Sequence, residues 1–378
     1  FDGLGAVPQA QQSYAVGELL APDDAELKAK RARLEKDAPE LMQGDKVPCS
    51  IITGFLGSGK TTLLNHILRE NHGKRIAVIE NEFGEVGIDD ALVKGNNQAQ
   101  EEDIVEMNNG CICCTVRGDL IRGLRSLFKK TTGNGRPLDG VLIETTGLAD
   151  PAPVAQTFFA DDFVQQHMVL DGILTLVDAK HIVEHLDEEK PEGVENEAVE
   201  QIAFADRILL NKCDLADEAH LAEVERRIRT INAVVPIKRT VNSVIDMSFI
   251  LGIRAFSLER VLAREEEFLA DDQDHQHDNR VSSVGIDVPG EVDEDVLKRW
   301  LGRLLSEKGV DLFRSKGVLA VKGRSQKLVF QAIHMLSGMS YQGAWQPMER
   351  RVCRFVFIGK HLDREELTKG FKACLAQK

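Results

Sequence analysis

The stretch Gly54-Phe55-Leu56-Gly57-Ser58-Gly59-Lys60-Thr61-Thr62 constrains this chain more than any other. The apolar run Val47 to Thr53 precedes it and reads as a buried strand; an amphipathic stretch, Thr61 to Glu70, follows and reads as a helix. Strand, glycine-rich turn and helix in that order form a phosphate-binding loop of the pattern G-x-x-x-x-G-K-[ST]. Gly54, Gly57 and Gly59 let the backbone wrap so that its N–H groups, those of Ser58 and Thr62 among them, point at phosphate oxygens. Lys60 supplies a positive charge at the β- and γ-phosphates. Thr61 offers a hydroxyl to Mg²⁺, and the helix aims its positive end at the anion.

The stretches downstream repeat the strand-then-motif pattern. Ile76-Ala77-Val78-Ile79 is a second strand and ends in Glu80-Asn81-Glu82-Phe83-Gly84-Glu85, with Asp89 and Asp90 beyond. Acids past a strand's C-terminal end lie where ligands bind in open α/β sheets. Glu80, Glu82 and Glu85 fit a metal-orienting role and equally a solvated acidic loop. Asp103 to Met107 reads as a third strand, and Asp119 to Lys130 as a helix. Gly140-Val141-Leu142-Ile143 is a strand closed by Glu144, with Gly147 three residues on. After a phosphate loop, that spacing suits an acid that holds Mg²⁺ or its water, and a glycine N–H that senses the γ-phosphate. Lys60 and Glu144 are therefore the candidate catalytic pair. Leu170 to Val177 and Asp206 to Leu210 are further strands. The latter runs into Asn211-Lys212-Cys213-Asp214, where a carboxylate at Asp214 accepts from both N1–H and N2–H₂ of guanine, groups that adenine lacks. Lys212 would lie across the nucleotide and Asn211 would brace the loop. A kinase-like enzyme using ATP is the competing class, and a guanine preference excludes it. Strands separated by helices, with nucleotide motifs at their ends, predict an α/β domain with a mostly parallel, doubly wound sheet over 47–245.

Cys111-Ile112-Cys113-Cys114 stands directly after the third strand. Three thiols in four residues suit a soft or borderline metal such as zinc or copper(I). The chain has seven cysteines, an odd number with three clustered, so a disulfide framework is not expected and a reducing, cytoplasmic compartment is. The sequence opens at Phe1, which leaves a removed targeting segment and an organelle open. No run of 18 apolar residues predicts a membrane span, and a net charge of −14 argues against a nucleic-acid partner.

Residues 1–46 read as an N-terminal extension, either a solvated helix or a flexible arm. Residues 246–280 read as a connecting segment with an acidic linker carrying His275 and His277, a weak metal lure or a solvated tract. From 281 to 378 the pattern predicts a smaller α/β domain in the order β-α-β-β-β-α, suited to partner contact or positioning.

Taken together, Gly54 to Thr62, Glu80 to Glu85, Gly110 to Cys114, Glu144 to Pro151 and Asn211 to Asp214 resemble the CobW-type metallochaperone GTPases, relatives of the urease and hydrogenase nickel-insertion GTPases. The likeness covers 47–378 and is most marked to the eukaryotic zinc-regulated GTPase metalloprotein activators. It implies zinc binding by Cys111, Cys113 and Cys114, hydrolysis of GTP with Mg²⁺, and delivery of the metal to a client metalloprotein. Cobalt delivery for cobalamin synthesis is the alternative within the family; outside it stands a nucleotide-switched binding protein with a structural zinc. In those activators a Cys-Pro-Glu-Leu segment docks a type 1 methionine aminopeptidase. Here the tetrapeptide is Ala38-Pro39-Glu40-Leu41, with Ala38 in place of the cysteine.

Overall fold

The computed structural model describes residues 46–70, 73–81, 104–107, 115–132, 138–191, 196–255, 281–346 and 348–376. Cys111, Cys113, Cys114, Glu82, Glu85, Asp89, Asp90, His275, His277 and Ala38 to Leu41 lie outside the described residues. Contacts divide the chain into two compact units, one holding the described residues 46–255 and one holding 281–376.

The first unit is built around β1 (Val47–Gly54), in which every residue but Pro48 is buried. The turn after β1 leads into α1 (Lys60–Arg69). Its Leu63, Leu64 and Ile67 join Ile52, Leu174, Leu176 and Leu209 in one core, because they share a face of the helix. There follow β2 (Ile76–Asn81), β3 (Ile104–Met107), α2 (Thr115–Thr132), β4 (Gly140–Glu144), α3 (Ala152–Ala160), α4 (Asp162–His167) and β5 (Met168–Asp178). Then come α5 (Ile182–Asp187), α6 (Glu197–Phe204), β6 (Arg207–Asn211), α7 (Glu218–Ile231), β7 (Ile237–Arg239) and α8 (Met247–Ile250). The sheet order is β3-β2-β4-β1-β5-β6-β7, and every pairing among these strands is parallel.

This order matters for function. The chain builds outward from β1 on one side, returns to β4, then crosses to β5 on the other side. The reversal brackets β1, and ligands in such sheets bind outside the strand ends at that point. Helices α3, α4 and α7 fall in stretches the motif reading leaves unassigned; α7 is capped by Asp217, whose carboxylate accepts from His220 N–H at 2.8 Å. Residues 247–255 close the unit. Asp171, buried on β5, accepts from the N–H groups of Ile253 and Arg254 at 2.8 Å each, and Arg207 on β6 donates to the carbonyls of Ser248 and Phe249.

The second unit is an antiparallel sheet of β8 (Val281–Pro289), β9 (Leu312–Ala320), β10 (Gln326–Ile333), β11 (Leu336–Ala344) and β12 (Val352–Lys360), ordered β11-β10-β9-β12-β8. Two helices, α9 (Glu294–Lys308) and α10 (Arg364–Lys372), meet the aromatic residues of β12: Trp300 and Phe371 contact Phe355, and Trp300 also contacts Phe357. The expected order β-α-β-β-β-α is corrected to β-α-β-β-β-β-α. The added strand is β11, an edge strand of sequence LSGMSYQGA. With only one hydrogen-bonded neighbour, and with many small polar residues, it lacks the apolar alternation that betrays a buried strand. His334 and His361, at φ of 50° and 49°, sit in turns.

Candidate nucleotide site

The phosphate loop depends on two tight glycines. Gly54 and Gly59 have φ of 145° and 107°. A Cβ on Gly54 would meet Leu176 O at 2.3 Å, and one on Gly59 would meet Asn211 Nδ2 at 2.5 Å. No side chain fits either position, so the backbone passes where only glycine can go. Ser58 is buried, Gly57 and Thr62 are exposed, and Thr61 is half-buried at the start of α1. Lys60 is buried, and its ammonium donates to Gly54 O at 2.8 Å and Phe55 O at 3.3 Å, which holds the charge at the mouth of the loop. Phe55 stacks on His185 of α5 with ring centroids 3.8 Å apart.

Asn211 joins this loop to the next motif. Its Nδ2 donates to Ser58 O at 2.9 Å and to Ser243 Oγ at 3.0 Å. Its Oδ1 accepts from Ser243 N–H at 2.9 Å and from Thr240 Oγ1 at 3.1 Å. Ser243 Oγ in turn donates to Gly59 O at 3.1 Å. Both amide protons and both lone pairs of this buried side chain are thus engaged. Lys212 follows in a left-handed conformation, φ 61°, and its ammonium donates to Asp178 Oδ2 at 2.8 Å. Burial pushes the Asp178 carboxyl up, but hydrogen bonds from Lys212, His181 and the Lys180 N–H outweigh it and hold the group below the usual carboxylate range. Asp214 lies exposed in the short turn Cys213–Leu215, which the Cys213 N–H ties to Thr240 O at 3.2 Å.

On the other flank, β4 delivers Glu144 in register with Ile52 of β1 and Glu80 of β2. Glu144 is half-buried. The chain then turns through Thr145, whose N–H donates to Ile52 O and whose hydroxyl donates to Thr53 Oγ1, both at 2.9 Å. Gly147 rides against the phosphate loop: a Cβ there would lie 2.7 Å from Leu56 N. Gln201 of α6 donates to Gly147 O and Ala149 O, each at 3.2 Å. Thr61 and Glu144 are hard oxygen donors of the type that Mg²⁺ takes.

Named contacts join the phosphate loop to Asn211 and to Gly147, and β4 sets Glu144 in register with β1; Lys212 follows Asn211 and bonds Asp178. Asp214 shares the loop of Lys212 and stands exposed in it. Cys111, Cys113 and Cys114 lie outside the described residues; among the described residues no group of three or more His, Cys, Asp or Glu is placed to hold a metal. Sequence reasoning missed Thr145, Asp178, Gln201, Thr240 and Ser243. Asp178 had a signal, being an acid that closes an apolar strand as Glu144 does; Thr240 and Ser243 had none, because only the fold carries them to Asn211. Also among the described residues, no helix is long and apolar enough to cross a membrane.

Comparison with known proteins fits this geometry. Residues 48–239 match the CobW/HypB/UreG nucleotide-binding domain, and residues 281–375 match the cobalamin synthesis protein cobW C-terminal domain. The chain belongs to the CobW/HypB/UreG family. The zinc chaperone YjiA of Escherichia coli is 37% identical over 328 residues, covering 86% of this chain and 98% of YjiA. The zinc-regulated GTPase metalloprotein activator 1 of Saccharomyces cerevisiae is 28% identical, over 96% of this chain and 92% of its own. The Zn(II)-bound crystal structure of the YjiA GTPase superposes with a TM-score of 0.65 at 31% identity, covering 88% of this chain and 99% of that one. A triple mutant of YjiA, with one glutamate and two cysteines replaced by alanine, is also Zn(II)-bound and gives a TM-score of 0.67. Homology to a GTPase family supports nucleotide hydrolysis by this chain.

Proposed function

We propose that this chain binds GTP with Mg²⁺, hydrolyses it, and uses the cycle to pass a zinc ion to a client metalloprotein. The observation that carries the reading is Asn211, whose one side chain ties the phosphate loop, through Ser58, to the Thr240–Ser243 loop beside the guanine-type motif. Those contacts support a reading in which phosphate and base recognition are coupled through one side chain. Lys60 would neutralise the β- and γ-phosphates, Thr61 and Glu144 would hold Mg²⁺ or its water, and Asp214 would select guanine. Mg²⁺, when bound, supplies charge neutralisation at the phosphates. Zinc is the cargo, and Cys111, Cys113 and Cys114 are its proposed ligands. Ala38 lacks the thiol of the docking tetrapeptide, so the reading names no aminopeptidase as client.

The test is a zinc titration of the full chain bound to a non-hydrolysable GTP analogue or to GDP. Coupling of ~1–3 kcal/mol separates the two affinities by roughly 5–150-fold. Equal affinities sink the coupling and leave a nucleotide-switched binding protein with structural zinc. Replacing Cys111, Cys113 and Cys114 with serine removes one zinc site; because the YjiA triple mutant still holds Zn(II), the readout is the number of sites. The same titration run with cobalt in competition settles which metal the thiolates prefer.

A further inference from the structure

One buried side chain has no place in the motifs yet bonds to the turn of one. Gln201 is 2% exposed and sits on α6, outside the phosphate loop and the guanine-type motif. Its single side-chain nitrogen carries two protons and makes two bonds, to Gly147 O and Ala149 O. These carbonyls flank Leu148, so the turn after Glu144 is gripped from one point on both sides. A primary amide is suited to this, because it presents two donors at once from a fixed plane.

The grip is anchored to the sheet. Thr175 of β5, buried, donates its hydroxyl to Gln201 O at 2.8 Å. Thr175 stands in register with Thr53 of β1, and Thr53 Oγ1 accepts from Thr145, two residues before Gly147. A closed path therefore runs from the turn through β1 and β5 to α6 and back to the turn. The helix is anchored to the phosphate loop as well. Asn196 caps α6 by accepting from Ala198 and Val199 N–H, and its Nδ2 donates to His185 O at 2.8 Å. The His185 ring is the one stacked on Phe55. Both segments that would touch the γ-phosphate thus lean on one short helix.

We propose that Gln201 is a positioning residue for GTP hydrolysis: by holding the Gly147 and Ala149 carbonyls it fixes the peptide that meets the γ-phosphate. This rests on the GTPase reading above. Gln201 touches no reacting atom; it acts through the turn. Gln201→Met keeps the length and apolar stem and removes both donors. Gln201→Lys returns N–H donors to a side chain that reaches toward the same carbonyls.

The experiment compares the full-length wild type with both variants in single-turnover GTP hydrolysis, in affinity for GDP and a non-hydrolysable GTP analogue, and in thermal unfolding. In Gln201→Met hydrolysis falls tenfold or more and the preference for the analogue over GDP collapses, while GDP affinity stays within twofold. Gln201→Lys recovers most of the rate. A general packing defect would instead weaken GDP binding and analogue binding together, in both variants, and would overturn the proposal. So would a Gln201→Met protein with wild-type rate and wild-type preference. A wild type that binds GTP without hydrolysing it refutes the GTPase reading and this inference with it; an active wild type matched by Gln201→Met refutes the inference alone.

Discussion

The two units bury charged and polar side chains in different ways, and the difference shows where chemistry can be built. In the first, parallel strands β1, β4, β5 and β6 all end at one edge, so the residues after them converge. Lys60, Thr145, Asp178 and Asn211 are buried there: Lys60 and Asn211 bond to the phosphate loop, Asp178 to Lys212 in the loop after β6, and Thr145 to the end of β1. In the second, neighbouring strands alternate in direction, so no edge gathers their ends. Its buried Lys327 and half-buried Arg354 pair with side chains instead. Lys327 bonds Glu349 at 2.6 Å and lies 4.7 Å from the Trp345 ring centre, and Arg354 bonds Asp287 at 3.0 Å across the β12–β8 pair. One unit spends its buried polarity on holding loops; the other on holding itself.

The sharpest way to break this contrast is to make the same change in both units. Lys60→Met removes the charge at the phosphate loop and leaves its stem; hydrolysis should fall by about 10²–10³-fold, as when a charge-stabilising group is lost from an active site, with little change in thermal stability. Lys327→Met should leave the rate alone and lower stability. Equal loss of rate in both variants would erase the distinction. A subtler pair uses glycine. A Cβ on Gly147 would lie 2.7 Å from backbone, Leu56 N, and one on Gly317 would lie 2.8 Å from the Phe355 ring. Gly147→Ala should cost hydrolysis tenfold or more by pushing the turn off the phosphate loop. Gly317→Ala should cost about 1–3 kcal/mol of stability through overpacking and spare the rate. Phosphate release and thermal melts on the four proteins decide it.

The legible parts of the sequence were those in which local spacing and chemistry coincide. Gly54 to Thr62 announces itself because strand, turn and helix are contiguous, and Glu144 is visible because an apolar run stops at an acid. The parallel sheet followed from strands that alternate with helical stretches. What stayed hidden is carried by tertiary contact. Gln201 is an ordinary helix residue until α6 is placed beside the β4 turn, 52 residues away from Ala149. Ser243 is an ordinary turn residue until Asn211 reaches it. Edge strand β11 stayed hidden for the opposite reason: it has few long-range partners and so little patterning.

The smallest expected effect tests the helix on which the first unit leans. Glu200 lies beside Gln201 and is buried; burial, with Asp150 and then Glu197 nearby, pushes its carboxyl up to about 8, well above the usual carboxylate range. The folded state therefore keeps a proton that the unfolded chain gives up. Stability from this group is fully present below about pH 4.5 and is lost as pH rises through about 8. Glu200→Gln mimics the protonated form. Below about pH 4.5 the variant should match the wild type; above about 8 it should be the more stable of the two, with the gap opening between those values. Melting curves across that range read the gap directly. A constant offset would mean that Glu200 is ionised in the folded protein and that α6 tolerates a second charge against Asp150. A gap of the expected sign, accompanied by a rate of hydrolysis that falls in step with it, would tie the ionisation of α6 to the turn that Gln201 holds, and nothing of the kind should follow from titrating the second unit.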